Sequence, residues 1–310
     1  MRTWVQHMRR GNFEAAWRVS DAVLRTRTAS HQSKLPRWYQ SVWNGTPLDG
    51  RRVLVRCYHG LGDTIQFIRY TRPLASIARE VIVWAQPVLL PLLRHVAGIN
   101  RLLPLHDGEP QVAFDVDIEV MELPHAFRTV PSTIPADVPY IHIAAPPRRA
   151  DGMLRVGLVW AAGDWDACRS VPLALLEPLA HFPGIQLHIL QRGPALAECD
   201  FGIMSGSDDA LEVARTIGAL DLLISVDSMP AHLAGALGTP VWTMLRARAD
   251  WRWLERREDC PWYPTMRLFR QSTDGDWVPV LNRITAELTR LQVAAARWPA
   301  PARRHRSPQL

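Results

Sequence analysis

The stretch DLLISVDSMPAHLAGALGTPVWTML, residues 221–245, decides the fold. A β-branched apolar run ends at Asp227 and Ser228, a small-residue segment with helical character follows, and a Gly-Thr-Pro break opens a second apolar run. A strand, a helix and a strand in so short a span make a crossover unit, which sets the two strands parallel. Strands apolar on both faces belong to a sheet covered by helices on both sides.

Working outward, the same alternation recurs. Toward the N-terminus LRVGLVWAAG reads as a strand and loop, VPLALLEPLAHF as a helix, IQLHILQR as a strand and DDALEVARTIGAL as an amphipathic helix. Earlier still, RRVLVRCY, VIVWAQ, INRLLPL and FDVDIEV read as strands, with helical spacing in IQFIRYTRPLASIA and LLPLLRHVAG between them. Toward the C-terminus VLNRITAELTRLQVAAA reads as a last helix. The proline- and charge-rich APPRRADGM, residues 145–153, is the expected linker between the two halves. The expected fold is therefore α/β, with two Rossmann-like αβα domains facing a cleft. Ligands in such folds bind beyond the C-terminal strand ends.

Residues 1–30 read as helix, and GNFEAAWRVSDAVL has the small and aromatic residues of a degenerate tetratricopeptide-like helix pair. One such unit cannot bury its own face, so it has to pack on the main body or on further repeats. An ordinary N-terminal helix accounts for the pattern equally. The expected division is a helical segment at 1–42, a first Rossmann-like domain at 43–147, a second at 148–297 and a disordered basic tail at 298–310; the resemblance set out below implies the acceptor side for the first and the donor side for the second.

The composition of 47% hydrophobic and 21% charged residues is that of a globular chain of 310 residues, long enough for two cores. Cys57, Cys168, Cys199 and Cys260 lie far apart with no CxxC pair, which suits a reducing compartment rather than a disulfide framework or a zinc site. No apolar h-region follows the N-terminus and no apolar stretch approaches the roughly 18 residues of a membrane span. The expectation is a cytoplasmic protein. The net charge of +6 comes from scattered basic residues, so no nucleic-acid partner is expected. A basic surface suits an anionic sugar nucleotide or a peripheral contact with the inner membrane face.

Two constellations carry chemistry. In HGLGDT, residues 59–64, glycines at 60 and 62 permit positive φ and close approach, and Asp63 sits at or next to a helix N-cap. The helix start points N–H groups into the cleft. Asp63 reads either as a cap or as a catalytic residue. In the second, Asp227 ends a buried strand, Ser228 opens the turn and His232 and Gly235 ride on the helix. That helix N-terminus and the Ser228 hydroxyl suit phosphate, and Asp227 suits sugar hydroxyls. Capping and close helix–sheet packing by Ala231, Ala234 and Gly235 are the bland alternative. Neither GxxxxGK[ST] nor GxGxxG occurs, so phosphoryl and hydride transfer lack their usual motifs. The DxD spacings Asp115/Asp117 and Asp164/Asp166 read as loop solvation, with no metal or cofactor expected. Within DWRWLERREDCPWYP, where several of the thirteen tryptophans cluster, Trp251 and Arg252 follow a strand end and are candidates for stacking and for meeting phosphate.

GLGDTIQFIRY, RVGLVWAAG, LISVDSMPAHLAGALGTPVW and DWRWLERREDCPWYPTMRLFRQSTDGDW, in that order over roughly residues 43–295, resemble bacterial tetratricopeptide-associated glycosyltransferases related to the heptosyltransferase (glycosyltransferase family 9) group. The resemblance implies a GT-B fold and metal-independent, inverting-type transfer of a sugar from a nucleotide-sugar donor to a glycan, lipid-linked or protein acceptor. It implies Asp63 as general base, with Gly60, Leu61, Gly62, Thr64 and Gln66 on the acceptor side. Asp227, Ser228, Met229 and His232 then hold the donor, with Arg169 meeting the leaving phosphates. Trp160 and Gln191, at the ends of their strand stretches, and Trp251 and Arg252 complete the donor side. Family members often have glycine after the Asp-Ser/Thr pair, where Met229 and Pro230 stand here. A nucleotide-sugar epimerase or hydrolase on the same fold, and a non-catalytic binding module, are the competing functions.

Overall fold

The computed structural model describes residues 3–26, 43, 45–144 and 152–297. Residues 145–151 of the expected linker and all of the expected tail lie outside them.

Strands β1 (Arg52–Cys57), β2 (Glu80–Ala85), β3 (Arg101–Pro104) and β4 (Val116–Glu119) form one sheet, ordered β3-β2-β1-β4. Strands β5 (Leu154–Val159), β6 (Ile185–Ile189), β7 (Ile203–Met204), β8 (Leu222–Val226), β9 (Val241–Leu245) and β10 (Met266–Arg270) form a second, ordered β10-β9-β8-β5-β6-β7. Every pairing between these strands is parallel. The central strands are buried along their whole length, as their unbroken apolar runs require in a sheet covered on both faces. The protein is thus α/β, with parallel sheets of four and six strands.

The helices are α1 (Trp4–Arg9), α2 (Phe13–Thr26), α3 (Leu61–Phe67), α4 (Thr71–Ala75), α5 (Leu90–Leu93), α6 (Leu123–Ala126), α7 (Ala210–Gly218), α8 (Met229–Leu237) and α9 (Val278–Arg297). Strand order reverses between β1 and β4 in the first sheet and between β5 and β8 in the second. Chains leaving those strand ends diverge to opposite faces and leave a crevice. The loops after β1 and β8, which carry Gly60 and Asp227, issue from these two points.

Three local expectations change. VPLALLEPLAHF is not a helix but two short 3-10 turns, Leu173–Leu175 and Glu177–His181. Pro178 lacks an N–H and its ring clashes with the preceding turn, so one α-helix cannot run through it. LLPLLRHVAG holds only the single turn α5 before loosening into i→i−3 bonds at His95 and Val96. Strands β7 and β10 add two edges hidden among turn residues and the aromatic-rich segment.

The helical hairpin α1–α2 packs on the main body. Trp4 meets Trp251 edge-on at 5.4 Å, Phe13 stacks over Trp262 at 6.4 Å, and the Trp17 indole N–H donates to the Thr129 carbonyl at 2.7 Å. A single apolar cluster runs from Met8 and Phe13 through β1 to Leu233, Trp253 and Tyr263, so the core is continuous across both halves. Arg69 reinforces the junction: wholly buried, it donates to the Pro135 and Trp262 carbonyls and lies over the Tyr140 and Tyr263 rings at 4.5 and 4.6 Å.

Candidate functional site

A cleft of about 430 Å³ opens where the two sheets' strand ends face each other. One wall is the start of α3, with Gly60, Leu61, Gly62 and Asp63. The other carries Asp227, Ser228, Met229 and His232 at the start of α8, with Arg169 and Arg252 beside them. The two constellations are therefore brought together in one cavity.

The α3 wall differs in detail from the sequence expectation. Gly60, not Asp63, is the N-cap, and Asp63 is the third helical residue, its Oδ2 accepting the Gly60 N–H at 3.0 Å. This is the carboxylate half of a capping box. Neither glycine needs positive φ: Gly60 sits at −62° and Gly62 is helical. Gly62 is small because of a neighbour, since a Cβ there would lie 2.7 Å from Cδ2 of His232. The helices α3 and α8 thus touch through a glycine and an imidazole.

Asp63 has a second partner. Its Oδ1 lies 2.7 Å from Nη1 of Arg252, which comes from the segment between β9 and β10. Arg252 is itself buried, and also donates through Nε to Asp250 at 2.9 Å and through Nη1 to Gln66 Oε1 at 3.0 Å. Gln66 thus lies behind the wall as a support of Arg252. Thr64 supports the loop in turn, donating to Gln86 Oε1, while Gln86 Nε2 donates to the His59 carbonyl.

On the α8 side, Ser228 is the N-cap, but its hydroxyl turns back to the Val226 carbonyl and the Ser225 hydroxyl, making no capping bond. Pro230 has no N–H, and the Ala231 and His232 N–H groups donate to the Ser228 carbonyl at 3.1 and 3.4 Å, so the first turn offers a ligand chiefly the positive end of its dipole and the Met229 N–H. Asp227 is buried, and burial raises its carboxyl above the usual range, against the opposing pull of Arg252 and of the Trp253 indole. His232 is buried too, with Nδ1 3.0 Å from the Tyr263 hydroxyl, Nε2 3.8 Å from Asp227 Oδ1, and its ring stacked on Trp253 at 5.2 Å. Burial first, then the charges of Arg252, Arg69 and Arg169, hold His232 well below its ordinary value, so the ring is neutral. Gly235 packs against Tyr263, whose ring a Cβ would approach to 2.3 Å.

Arg169 Nη1 donates to the Asp227 carbonyl at 2.8 Å, and its Nε lies 3.8 Å from Asp166 Oδ2. Asp166 also faces Arg246 at 3.4 Å, so two arginines share one carboxylate at the mouth of the α8 N-terminus. Arg246 escaped the sequence reading, although it follows the end of β9 just as Asp227 follows β8. Asp166, Asp250 and Arg9 also line the cleft. No local pattern marks Arg9, which arrives from α1.

Other candidates stand elsewhere. Trp160 is buried in the second sheet's core, and Gln191 Oε1 accepts the backbone N–H groups of Trp160 and Ala161, fixing the loop after β5. Trp251 is buried among Trp4, Phe13, Phe67 and Trp262, where it anchors the hairpin rather than facing the cleft. Asp115 is exposed in the bend before β4 and pairs there with Arg52 at 3.0 Å, whereas Asp117 lies on β4 rather than in a loop and pairs with Arg56 at 2.7 Å. The Asp164 side chain lies outside the described residues. Among the described residues, no three His, Cys, Asp or Glu side chains gather as a metal site.

No family model matches the chain. It is similar to the protein FlbA of Caulobacter vibrioides, at 25% identity over 287 residues, covering 79% of this chain and 48% of FlbA. The chain thus spans about half the length of this curated relative. Among solved structures it is similar to the Escherichia coli ADP-heptose lipopolysaccharide heptosyltransferase II, with TM-score 0.56 and 14% identity over 79% of this chain and 99% of that one. A glycosyl transferase family 9 protein of Veillonella parvula gives 0.55 and 11%, over 80% and 91%. The E. coli heptosyltransferase WaaC, solved with ADP-2-deoxy-2-fluoro heptose, gives 0.50 and 13%, over 76% and 99%. With its two parallel sheets, the chain has the GT-B fold of these family 9 heptosyltransferase structures.

Proposed function

We propose that this protein is a glycosyltransferase that moves a sugar from a nucleotide-activated donor to an acceptor hydroxyl. The observation that carries the reading is the pairing, in one cleft, of an uncapped α8 N-terminus flanked by Arg169 and Arg246 with the carboxylate of Asp63 on the opposite wall. The first suits a leaving phosphate and the second a departing proton. A fold shared with a structure solved with a nucleotide-sugar analogue supports the same donor class.

In the proposed step the acceptor oxygen forms a bond to the anomeric carbon, and the bond from that carbon to the donor phosphate breaks. The acceptor proton passes to Asp63. The phosphate leaves with the bonding pair, and its charge is met by Arg169, Arg246 and the positive end of the α8 dipole without a metal ion. Asp63 accepts one hydrogen bond at each oxygen, which leaves a lone pair on each for the incoming proton. Arg252 and Gly60 orient it. Asp227 and the neutral His232 lie on the donor-sugar side, and the acceptor is a glycan, a lipid-linked sugar or a protein side chain. The widely separated free cysteines support a cytoplasmic site of action.

Calorimetric titration with a panel of nucleoside mono- and diphosphates tests the donor side. Binding that weakens at least about tenfold in Arg169→Met is expected. Absence of binding across the panel would overturn the reading. Product analysis with and without acceptor extract separates transfer, which needs the acceptor, from hydrolysis or epimerisation, which does not.

A further inference from the structure

Beside the cleft, and sharing Arg9 with it, lies a second cavity of about 220 Å³. Arg9, Arg248, Arg256 and Arg270 line it, with Glu255 the single carboxylate among its lining residues. Like charges are seldom gathered this way unless something of opposite sign joins them.

The existing partners leave the cluster under-neutralised. Arg248 reaches Asp274 only at 3.9 Å, with most of its side chain in solvent. Arg270 spends Nη2 on the carbonyls of Trp253 and Leu254, at 3.1 and 2.7 Å, and its buried Nε has no hydrogen-bond partner. The buried Nε of Arg9 has none either, and among the described residues neither Arg9 nor Arg256 enters an ion pair. Burial draws the Arg270 guanidinium down from its ordinary value, and the Arg9 charge adds to this against the pull of Glu255. Buried donors without acceptors are costly, and structures tolerate them where a ligand supplies the acceptor.

The backbone adds an independent sign. Among the described residues only three non-glycine residues have positive φ, and two of them, Leu254 at 49° and Arg256 at 58°, shape this cavity. Such strain persists only where surroundings enforce it, and it collects at ligand sites. Here the enforcing contacts are the Arg270 bonds to the Trp253 and Leu254 carbonyls and the 2.7 Å bond from the Glu255 N–H to the Arg9 carbonyl. The hairpin and the strained loop thus present their arginines together.

We propose that this cavity is an oxyanion subsite, in which Arg9, Arg256 and Arg270 bind a phosphate or carboxylate group of a substrate lying in the cleft. The volume is too small for a nucleotide and sufficient for one such group. Guanidinium forks match both oxyanions. Arg9, lining both cavities, places the bound anion next to the proposed sugar-transfer site, yet the subsite stands on its own residues whatever reaction the cleft performs.

The test is titration of the whole chain with inorganic phosphate at low ionic strength, comparing wild type, Arg9→Gln and Arg256→Gly. Saturable binding, weakened at least about fivefold in both variants, is expected. Arg256→Gly relieves the positive φ, so its melting temperature should match or exceed the wild type while phosphate binding falls. Phosphate affinity unchanged in Arg256→Gly would overturn the proposal, as would a parallel loss of affinity and melting temperature, which would mark Arg256 as structural. Repeating the titration with saturating nucleoside diphosphate identifies the anion's source. Persistent phosphate binding assigns it to the acceptor, and competition assigns it to the donor.

Discussion

The Arg252 guanidinium and the Asp63 carboxylate meet at 2.7 Å across the cleft, joining the second sheet's β9–β10 connection to the first turn of α3. The pair therefore does two things: it fastens the halves and it orients the residue proposed to take the acceptor proton. Removal of either partner separates these roles.

Asp63→Asn should lower sugar transfer by about 10²-fold or more, the usual range for a lost general base, while leaving nucleotide affinity nearly unchanged. Asp63→Ala should also lose about 1–3 kcal/mol of stability, because a buried arginine loses one of its two carboxylates. Turnover assays and urea unfolding read the two effects separately. Full turnover by Asp63→Asn would remove Asp63 from the chemistry.

A double-mutant cycle with Asp63→Asn and Arg252→Met should give a coupling of about 0.5–3 kcal/mol, as expected for residues in contact. Additive effects in urea unfolding would show that the contact does not fasten the halves.

Gly62→Ala and Gly235→Ala should destabilise the protein by about 1–3 kcal/mol each. Glycine to alanine inside an exposed helix normally gains about 1 kcal/mol. Here the added methyl would stand 2.7 Å from His232 or 2.3 Å from the Tyr263 ring. His232 cannot retreat, being held by Tyr263 and Trp253, so the clash outweighs propensity. Thermal melts of both variants check the sign.

Stability should fall as pH drops below about 6.5, the unfolded histidine value. The folded state keeps His232 neutral, so in this window the unfolded chain binds the extra proton and is favoured. The slope from one such group approaches about 1.4 kcal/mol per pH unit. His125 and His188, also lowered chiefly by burial, act in the same direction, whereas His59, raised by Glu119, opposes them. Asp227, raised by burial, gains stability as acid protonates it. The difference between wild type and His232→Gln, followed by urea unfolding from pH 7 to 5.5, isolates the His232 share. Equal slopes would refute it.

Trp251→Ala should cost about 3–5 kcal/mol and expose the α1–α2 hairpin to limited proteolysis, because Trp251 sits at the centre of the aromatic cluster that docks the hairpin. A sugar-stacking residue would instead change substrate affinity and leave stability alone. Melting and proteolysis, measured beside nucleotide binding, distinguish the two.

Much of this was readable along the chain. Apolar runs such as LLISV and VWTML, separated by one helix, can only be parallel strands buried on both faces, and the motif residues Gly60, Asp63, Asp227 and Ser228 stand directly after such runs. Periodicity failed where proline overrode it, as at Pro178, and where a short edge strand such as Met266–Arg270 was masked by neighbouring aromatics.

By itself, then, the sequence determined the alternating α/β architecture and which strand ends would line the cleft, because burial patterns and helix starts are local properties. Only the tertiary structure decided which partners those residues take. Gly62 is small because His232 lies against it, Asp63 is tied to an arginine nearly two hundred positions away, and Arg9 reaches the cleft from a separate hairpin. These are contacts between segments brought together by packing, and no pattern within any one segment encodes them.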